Sequence, residues 1–175
     1  LNVASREPLA ALARPVLEHA AAELGETFFL VVARAGQLTV LEKAEGSGFL
    51  RAAPQLGSRV PVHATAVGKL YLAHAPELVE VGELTRYTAA TVRGRKALDA
   101  EVAAVRAQGW ATNVEEWQPG LAVAAAPILS GGRLHGTVAL AMVAARFAAI
   151  GNQAIGRRVV HAAEGIALRI EGRTQ

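Results

Sequence analysis

The chain has 175 residues, of which 52% are hydrophobic and 19% are charged, a size and composition that fit one globular domain with an ample core. Its formal net charge is +3, but the basic residues are dispersed and no recognition helix, zinc finger or aromatic RNA-binding pattern accompanies them, so the charge alone does not predict nucleic-acid binding. The absence of cysteine excludes disulfides, thiolate metal sites and cysteine nucleophiles.

The first predicted element is an amphipathic helix, in which apolar residues recur at helical spacing through REPLAALARPVLEHAAAELGE. A proline in this segment complicates the helix, because proline costs about 3 kcal/mol in a helix interior and little at the first position. We therefore expect a break or a sharp kink near Arg14, followed by a second helix from Pro15 to Leu24 that ends at Gly25.

Strands and short helices are predicted next. Two runs rich in Val, Leu, Phe and Thr, separated by residues 35–36, predict a β-hairpin. A third strand is expected from Phe49 to Ala53, and a helix from Thr65 to Ala75. Pro76 should open a further short helical segment that reaches about Gly82.

The second half of the chain carries the clearest helix, in RKALDAEVAAVRAQG, with Gly109 as its stop signal. Strands are expected over Trp110–Glu115, Leu121–Leu129 and Leu134–Val143, and a glycine-rich turn joins the last two. A final amphipathic helix closes the chain, and its Gly156 and Gly165 would permit close approach to the sheet or to a partner chain. Hairpins with helices grouped between them predict an α+β domain with a mainly antiparallel sheet, and a doubly wound parallel fold is the weaker option.

A candidate anion site lies in the segment RVPVHATAVGK. Thr65 can act as the N-cap of the following helix, but Gly68 stands where a capping box has Glu or Gln. The amides of Ala66, Val67 and Gly68 therefore lack a side-chain partner from that source. Such amides, with the positive end of the helix dipole, bind a carboxylate or phosphate. The alternative is an ordinary helix terminus whose amides bind water.

Few residues carry catalytic or metal-binding chemistry. The five histidines form no HxxxH pair, so no metal site is predicted. His63 is either a proton donor beside the anion site or a hydrogen-bonded turn residue. Glu115 and Glu116 would point to opposite faces of a strand, which favours salt bridges over shared acid–base work. Nucleophile-elbow, Walker and GxGxxG motifs are absent, so we expect no enzyme activity and no cofactor.

Two further expectations concern the cellular location of the protein and the environment of its two tryptophans. No apolar run approaches the about 20 residues of a membrane helix, and no signal-peptide pattern opens the chain. We therefore expect a cytoplasmic protein without a membrane partner. Trp110 and Trp117 are expected in the core, with a pocket lining as the alternative.

Four segments, in order along the chain, resemble the C-terminal effector-binding domain of the IclR-type transcriptional regulators (isocitrate lyase regulator family). The first, LAALARPVLEHAAAELGETFFLVVARAGQLTVLEKAEG, resembles the entry helix and first hairpin of that domain. The second, RVPVHATAVGKLYLA, matches the family pattern around the candidate anion site. The remaining two matches are QGWATNVEEWQPGLAVAAAPI and LHGTVALAMVAAR, and together the four cover nearly the whole chain.

This resemblance implies a GAF- or profilin-like α+β domain with a curved, mainly antiparallel sheet of about six strands. It implies a sensor that binds a small organic acid, forms a dimer or tetramer, and alters operator binding. DNA would be contacted only through a winged helix-turn-helix domain that this chain lacks. Residues 1–14 would be the end of the linker helix from that domain, and residues 15–175 the sensor domain.

The resemblance also implies the ligand contacts. The carboxylate of the effector would meet the amides of Ala66 and Val67, to which the capping pattern adds the amide of Gly68. The pocket walls would be formed by Phe49, Ala52, Asn113, Leu121, Val123, Ala141 and Val143. Asn113 stands where the family can have an acid, and Ala141 and Val143 where it often has serine. Because unpaired buried polar groups cost about 1–3 kcal/mol, the loss of two hydroxyls favours an aromatic carboxylate over a small keto acid.

Two other classes of function are left open by the residues themselves. One is a cysteine-independent enzyme of GAF-like fold that would use His63 or a glutamate. The other is an oligomerisation domain that binds no small molecule.

Overall fold

The computed structural model describes residues 7–47 and 54–173, which form five α-helices, one 3₁₀ turn and six strands. In chain order these elements are α1 (Glu7–Leu24), β1 (Thr27–Arg34), β2 (Gln37–Ala44), β3 (Arg59–Val60), α2 (Ala66–His74), the 3₁₀ turn (Pro76–Leu78), α3 (Arg95–Gln108), β4 (Ala111–Val114), β5 (Leu121–Ser130), β6 (Arg133–Val143), α4 (Ala144–Ile150) and α5 (Asn152–Arg173). The strands form one antiparallel sheet in the order β3-β2-β1-β6-β5-β4. The predicted α+β class with a mainly antiparallel sheet is confirmed.

The two faces of the sheet carry separate cores. Along β5, Leu121, Val123 and Ala125 pack with α2 and α3, while Ala122, Ala124 and Ala126 pack with α1 and α5. All six side chains are buried. A strand that is covered on both faces reads as a continuous apolar run, which explains the segment LAVAAAPIL. The candidate anion site lies on the α2 side of the sheet.

Local turn and cap signals in the sequence correspond to the structure. Ala35 and Gly36 join β1 to β2 with φ angles of 50° and 79°. Two positive φ values in a two-residue loop match the right-handed twist of the flanking strands. Gly109 ends α3 in the left-handed conformation and donates its amide to the Val105 carbonyl at 2.8 Å. The predicted hairpin and the predicted helix stop are both confirmed.

The predicted break near Arg14 is wrong, because α1 runs through Pro15 without interruption. The helix face on both sides of the proline is buried, with Ala13 and Leu17 fully enclosed and Ala21 almost so. Burial of a leucine side chain contributes about 1.5–3 kcal/mol, and several such contacts offset the about 3 kcal/mol cost of an interior proline. Arg14 also donates two hydrogen bonds to the Glu42 carboxylate, at 2.7 and 3.2 Å.

Two further differences concern the ends of elements. The helical segment at Pro76 stops at Leu78 and does not reach Gly82. Next to it, Val79 forms a bridge with Gly36, and the Glu80 amide donates to the Gly36 carbonyl at 2.9 Å, so the hairpin turn holds this segment in place. The predicted strand at residues 49–53 lies outside the described residues. Strand β3, at the sheet edge, and the short helix α4 were not predicted as separate elements.

Two features are absent from residues 7–47 and 54–173, namely a membrane-spanning helix and a metal-binding cluster. None of the helices in these ranges is both long and apolar enough to cross a bilayer. The same ranges contain no group of three or more histidine, aspartate or glutamate side chains arranged to hold a metal ion.

His74, at the end of α2, gives the domain a predicted sensitivity to acid. Its Nε2 is buried and has no hydrogen-bond partner among the described residues. Burial, and then the charge of Arg106, lowers the pKa of His74 below its ordinary value of 6.5. The unfolded chain therefore takes up a proton near pH 6.5 that the folded chain does not accept. Stability from this group is present above that pH and is lost as the pH falls toward the lower folded pKa.

Replacement of His74 by glutamine is expected to remove this contribution. In urea unfolding between pH 8 and pH 5, the stability of His74→Gln should fall less steeply below pH 6.5 than that of the wild type. The matched control is His161→Gln, which removes an exposed histidine from α5. Equal slopes for His74→Gln and the wild type would contradict the prediction.

Candidate functional site

The turn before α2 is held rigidly by its own side chains. The Thr65 hydroxyl accepts the Gly68 amide at 3.1 Å and donates to the Pro61 carbonyl at 2.6 Å, which is the predicted N-cap. The His63 Nε2 lies 2.8 Å from the Thr85 carbonyl oxygen, and its ring stacks on Tyr87 with centroids 5.7 Å apart. A carbonyl only accepts, so this nitrogen carries the hydrogen and donates it. Of its two possible roles, the contacts of His63 favour the hydrogen-bonded turn residue.

The three predicted ligand amides differ in their partners. The Ala66 amide donates to the Asn113 Oδ1 at 2.7 Å, and the Gly68 amide donates to Thr65. Within the described ranges, only Val67 of these three has no acceptor for its amide. The sequence indicated three amides without a side-chain acceptor from a capping box, but it could not show that β4 brings Asn113 to the first of them. Of the three, the Val67 amide is thus the one with no acceptor among the described residues to displace.

The Asn113 carboxamide is oriented by this contact. Because the Ala66 amide is a donor, the side-chain atom 2.7 Å away is the oxygen, and the Nδ2 group is directed elsewhere. Asn113 is only 1% exposed, and its Nδ2 has no acceptor in the part of the chain that the structure describes. An unsatisfied buried donor costs about 1–3 kcal/mol, so this group is a candidate contact for a bound acceptor.

A narrow cavity of about 10 Å³ lies at this point, with room for about one water molecule. The exposed surface of its walls is apolar, and Thr65 and Asn113 are polar residues that border it. The lining residues are Phe29, Pro54, Val60, Thr65, Val67, Asn113, Trp117, Leu121 and Val123. An organic ligand enters this space only if part of the wall moves outward.

Four of the predicted ligand contacts line this cavity together, namely Val67, Asn113, Leu121 and Val123. Ala141 belongs to the same core and pairs with Val123 across β5 and β6, but it is not part of the lining. Val143 is 46% exposed at the end of β6. Gly68 packs its backbone against Val62, where a Cβ atom would lie 1.8 Å from the carbonyl oxygen. Phe49 and Ala52 lie outside the described residues.

Several lining residues were missed by the sequence reasoning. Thr65 was interpreted only as a helix cap, Phe29 only as a strand residue, and Val60 was not singled out. Trp117 was placed in the core by default, with a pocket lining as the alternative, and it is half-buried against the cavity. Alternation along β1 groups Phe29 with Val31, but it does not say which face of the sheet carries the cavity.

A buried ion cluster lies beside the cavity. The Lys69 ammonium is 2.5 Å from Glu116 Oε1 and 2.9 Å from Glu101 Oε2, and the lysine side chain is 4% exposed. Burial raises the pKa of Glu116 above its ordinary value, and the charge of Lys69 opposes this. Glu115 instead accepts the Gly120 amide at 2.8 Å. The two adjacent glutamates thus have separate structural partners, but not because they alternate on a strand: β4 ends at Val114, short of the predicted Glu115.

Comparison with known proteins gives a consistent family. The sequence profile described as "Bacterial transcriptional regulator IclR C-terminal" matches residues 1–168. The HTH-type transcriptional regulator XynR of Escherichia coli K12 is 36% identical over 109 residues, which are 59% of this chain and 43% of XynR. The probable transcriptional regulator SauR of Cupriavidus necator is 33% identical over 134 residues, 74% of this chain and 53% of SauR. The chain thus spans about half the length of these relatives.

The fold is likewise shared with solved structures. An IclR homolog from Microbacterium hydrocarbonoxydans, crystallised as a complex with 4-hydroxybenzoate, superposes with a TM-score of 0.86. The superposition covers 95% of this chain and 70% of the homolog, at 23% sequence identity. At that identity the likeness concerns the fold.

Proposed function

Because the chain belongs to the IclR family of bacterial transcriptional regulators, as the C-terminal domain, we propose that it binds a small organic carboxylate and thereby modulates operator binding. The observation that carries this proposal is the Asn113 Nδ2, a buried donor without an acceptor in the described ranges. Asn113 and Val67 are both lining residues of the same cavity, at the N-terminus of α2. Both groups donate hydrogen bonds, and both therefore suit an anion.

The donor pattern favours the ionised form of the ligand. A carboxylate accepts from the Val67 amide and from Asn113, and the positive end of the α2 dipole adds to the attraction. Thr65 offers no further hydrogen, because its hydroxyl already donates to the Pro61 carbonyl. A protonated acid would bring its own hydrogen toward donors. We expect affinity to fall once the pH drops below the pKa of the ligand.

The walls of the cavity support an aromatic ligand. Phe29, Trp117 and Leu121 are among the lining residues, and the Thr65 hydroxyl already donates to the Pro61 carbonyl, so the described lining offers few groups that would pair with the keto oxygen of a small keto acid. The Microbacterium homolog, which shares this fold, was crystallised with 4-hydroxybenzoate, an aromatic carboxylate. We therefore propose an aromatic carboxylate as the effector. Tighter binding of pyruvate than of benzoate or 4-hydroxybenzoate would contradict this choice.

The proposal is tested by the substitution Asn113→Asp, with binding measured by titration calorimetry against benzoate, 4-hydroxybenzoate and pyruvate. Aspartate keeps the shape and still accepts the Ala66 amide, but it replaces the Nδ2 donor with a negatively charged oxygen. Loss of a hydrogen bond to a charged group costs about 1.5–3 kcal/mol, and charge repulsion adds to it, so affinity should fall by about 100-fold or more.

The matched control is Asn152→Asp, which makes the same chemical change at an exposed position at the start of α5. It should bind each acid as the wild type does. Wild-type affinity in a folded Asn113→Asp variant would contradict the proposed site. Absence of binding by every acid to the wild type would contradict the proposed function itself and favour an oligomerisation domain.

The partners of the whole regulator follow from the same proposal. We propose that residues 1–14 continue a linker helix from a winged helix-turn-helix domain, that the protein is a cytoplasmic homo-oligomer, and that DNA is contacted through that other domain. Effector and operator would then be coupled by about 1–3 kcal/mol, and the coupling would be reciprocal. Catalysis is disfavoured, because His63 and Glu116 are both engaged in bonds within the protein.

A further inference from the structure

We infer that Lys69 is a positioning residue for the effector cavity: its buried ammonium holds Glu116 and thereby keeps the adjacent Trp117 against the cavity. This inference rests on the proposed function for its effect on ligand affinity, but the position of Trp117 can be measured without a ligand. Lys69 is the next residue after Gly68 on α2. The helix that carries the Val67 amide is thus also joined, through Lys69 and Glu116, to the segment that contains Trp117.

The buried charge of Lys69 requires the partners it has. Its side chain is 4% exposed, and its ammonium contacts Glu116 at 2.5 Å and Glu101 of α3 at 2.9 Å. Removal of one partner from a buried ion pair leaves an uncompensated charge, so the lysine and the two carboxylates depend on one another. The ammonium therefore joins three elements that are distant in the chain: α2, α3 and the β4–β5 connection.

The β4–β5 connection, residues 115–120, is also held by hydrogen bonds of its own, among them the Glu115 amide to the Leu121 carbonyl at 2.8 Å. Its backbone is held at the start by two threonine hydroxyls, which donate to the carbonyls of Glu115 at 2.5 Å and of Glu116 at 2.7 Å. At the far end the Gly120 amide donates to the Glu115 side chain. Glu115 has a φ angle of +54°, a conformation that few non-glycine residues adopt. The ion pair between Lys69 and Glu116 joins this connection to α2 through side chains.

The described lining residues leave few positions at which the cavity can widen. Of its lining residues, all except Pro54, Thr65 and Trp117 belong to strands or to α2, and Thr65 caps that helix. Strand positions are held by ladder hydrogen bonds, whereas the Trp117 connection has no ladder. Since the cavity of about 10 Å³ holds no organic acid as it stands, part of its wall must move, and Trp117 is one of the described lining residues that lie outside the strands and α2. Lys69, through Glu116, sets the position of Trp117 in this wall.

The test compares Lys69→Met with the double variant Lys69→Met/Glu116→Gln and with Lys69→Arg. The double variant removes an ammonium and a carboxylate together, so it avoids the unpaired charge on Glu116 that threatens folding of the single variant. Lys96→Met, an exposed lysine on α3, is the control for removal of a lysine elsewhere. Each protein is labelled with 5-fluorotryptophan, which gives one ¹⁹F resonance for each of the two tryptophans.

The ligand-free readout is the solvent isotope shift of each ¹⁹F resonance between H₂O and D₂O. In the folded double variant the shift should increase for Trp117 and remain unchanged for Trp110, which packs in the core on the other face of the sheet. Lys69→Arg should restore the wild-type shift. An unchanged Trp117 shift in the folded double variant would overturn the inference, since a merely stabilising ion pair would not move this signal selectively.

The second readout is the affinity for benzoate. An aromatic contact is worth about 0.5–1.5 kcal/mol, so the double variant should bind benzoate up to about 10-fold more weakly, with recovery in Lys69→Arg. Equal affinities in the presence of a changed Trp117 shift would overturn the part of the inference that concerns the effector. If the wild type binds no acid, the proposed function fails, while the isotope shift still decides whether Lys69 positions Trp117.

Discussion

Replacement of Gly68 by alanine is expected to lower the free energy of unfolding by about 3 kcal/mol or more, among the larger effects of a single substitution. The added Cβ would lie 1.8 Å from the Val62 carbonyl oxygen and 2.5 Å from its carbon. These are backbone atoms, so no side chain can rotate away. The turn itself is fixed by Thr65 and His63, and α2 is buried from Ala66 to Leu72. Relief of this overlap therefore requires α2 to move relative to the turn that contains Val62.

The control for Gly68→Ala is Gly165→Ala in α5. A Cβ at Gly165 would lie 3.6 Å from the nearest Val16 methyl, an ordinary contact. Alanine is about 1 kcal/mol better than glycine in a helix interior, so Gly165→Ala should be neutral or stabilising. Urea unfolding measures both. Wild-type stability in Gly68→Ala would contradict the close packing of α2 on the turn.

Gly156→Ala is the second substitution with a large expected effect, although it lies on the same helix as Gly165. A Cβ at Gly156 would lie 2.5–2.8 Å from three atoms of the Trp110 indole ring. Trp110 is 8% exposed and belongs to the core between the sheet and the α1 and α5 helices, so the ring has little space to shift. We expect a net cost of about 2 kcal/mol and a Tm lowered by about 4–8 °C.

The cause of this cost can be isolated with Trp110→Phe. Phenylalanine lacks the second fused ring of the indole, to which Cζ2 belongs, so part of the overlap is removed and the double variant Gly156→Ala/Trp110→Phe should be more stable than the sum of the two single effects predicts. Thermal and urea unfolding of the four proteins complete the cycle. Strict additivity would indicate that Gly156 and Trp110 do not contact each other as the structure has them.

These two glycines illustrate which parts of the fold were predictable. The sequence marked Gly156 and Gly165 alike as places for close approach, yet only Gly156 meets a ring that a Cβ would overlap. The difference depends on where β4 begins relative to α5, which no local pattern encodes. Likewise, Pro15 carries the same local penalty in any helix, and the burial of Ala13 and Leu17 on the sheet keeps α1 continuous.

The sequence by itself determined features whose causes lie within a few residues: the turn at Ala35 and Gly36, the Thr65 cap, the Gly109 stop and the apolar strands. It also carried the family resemblance. Only the tertiary structure decided the site, because its polar contacts join residues that are far apart in the chain. The Ala66–Asn113 bond and the Lys69–Glu116 pair each span 47 residues. Pairings of that range are set by the register of the sheet and the packing of α2 on it, and not by local propensity.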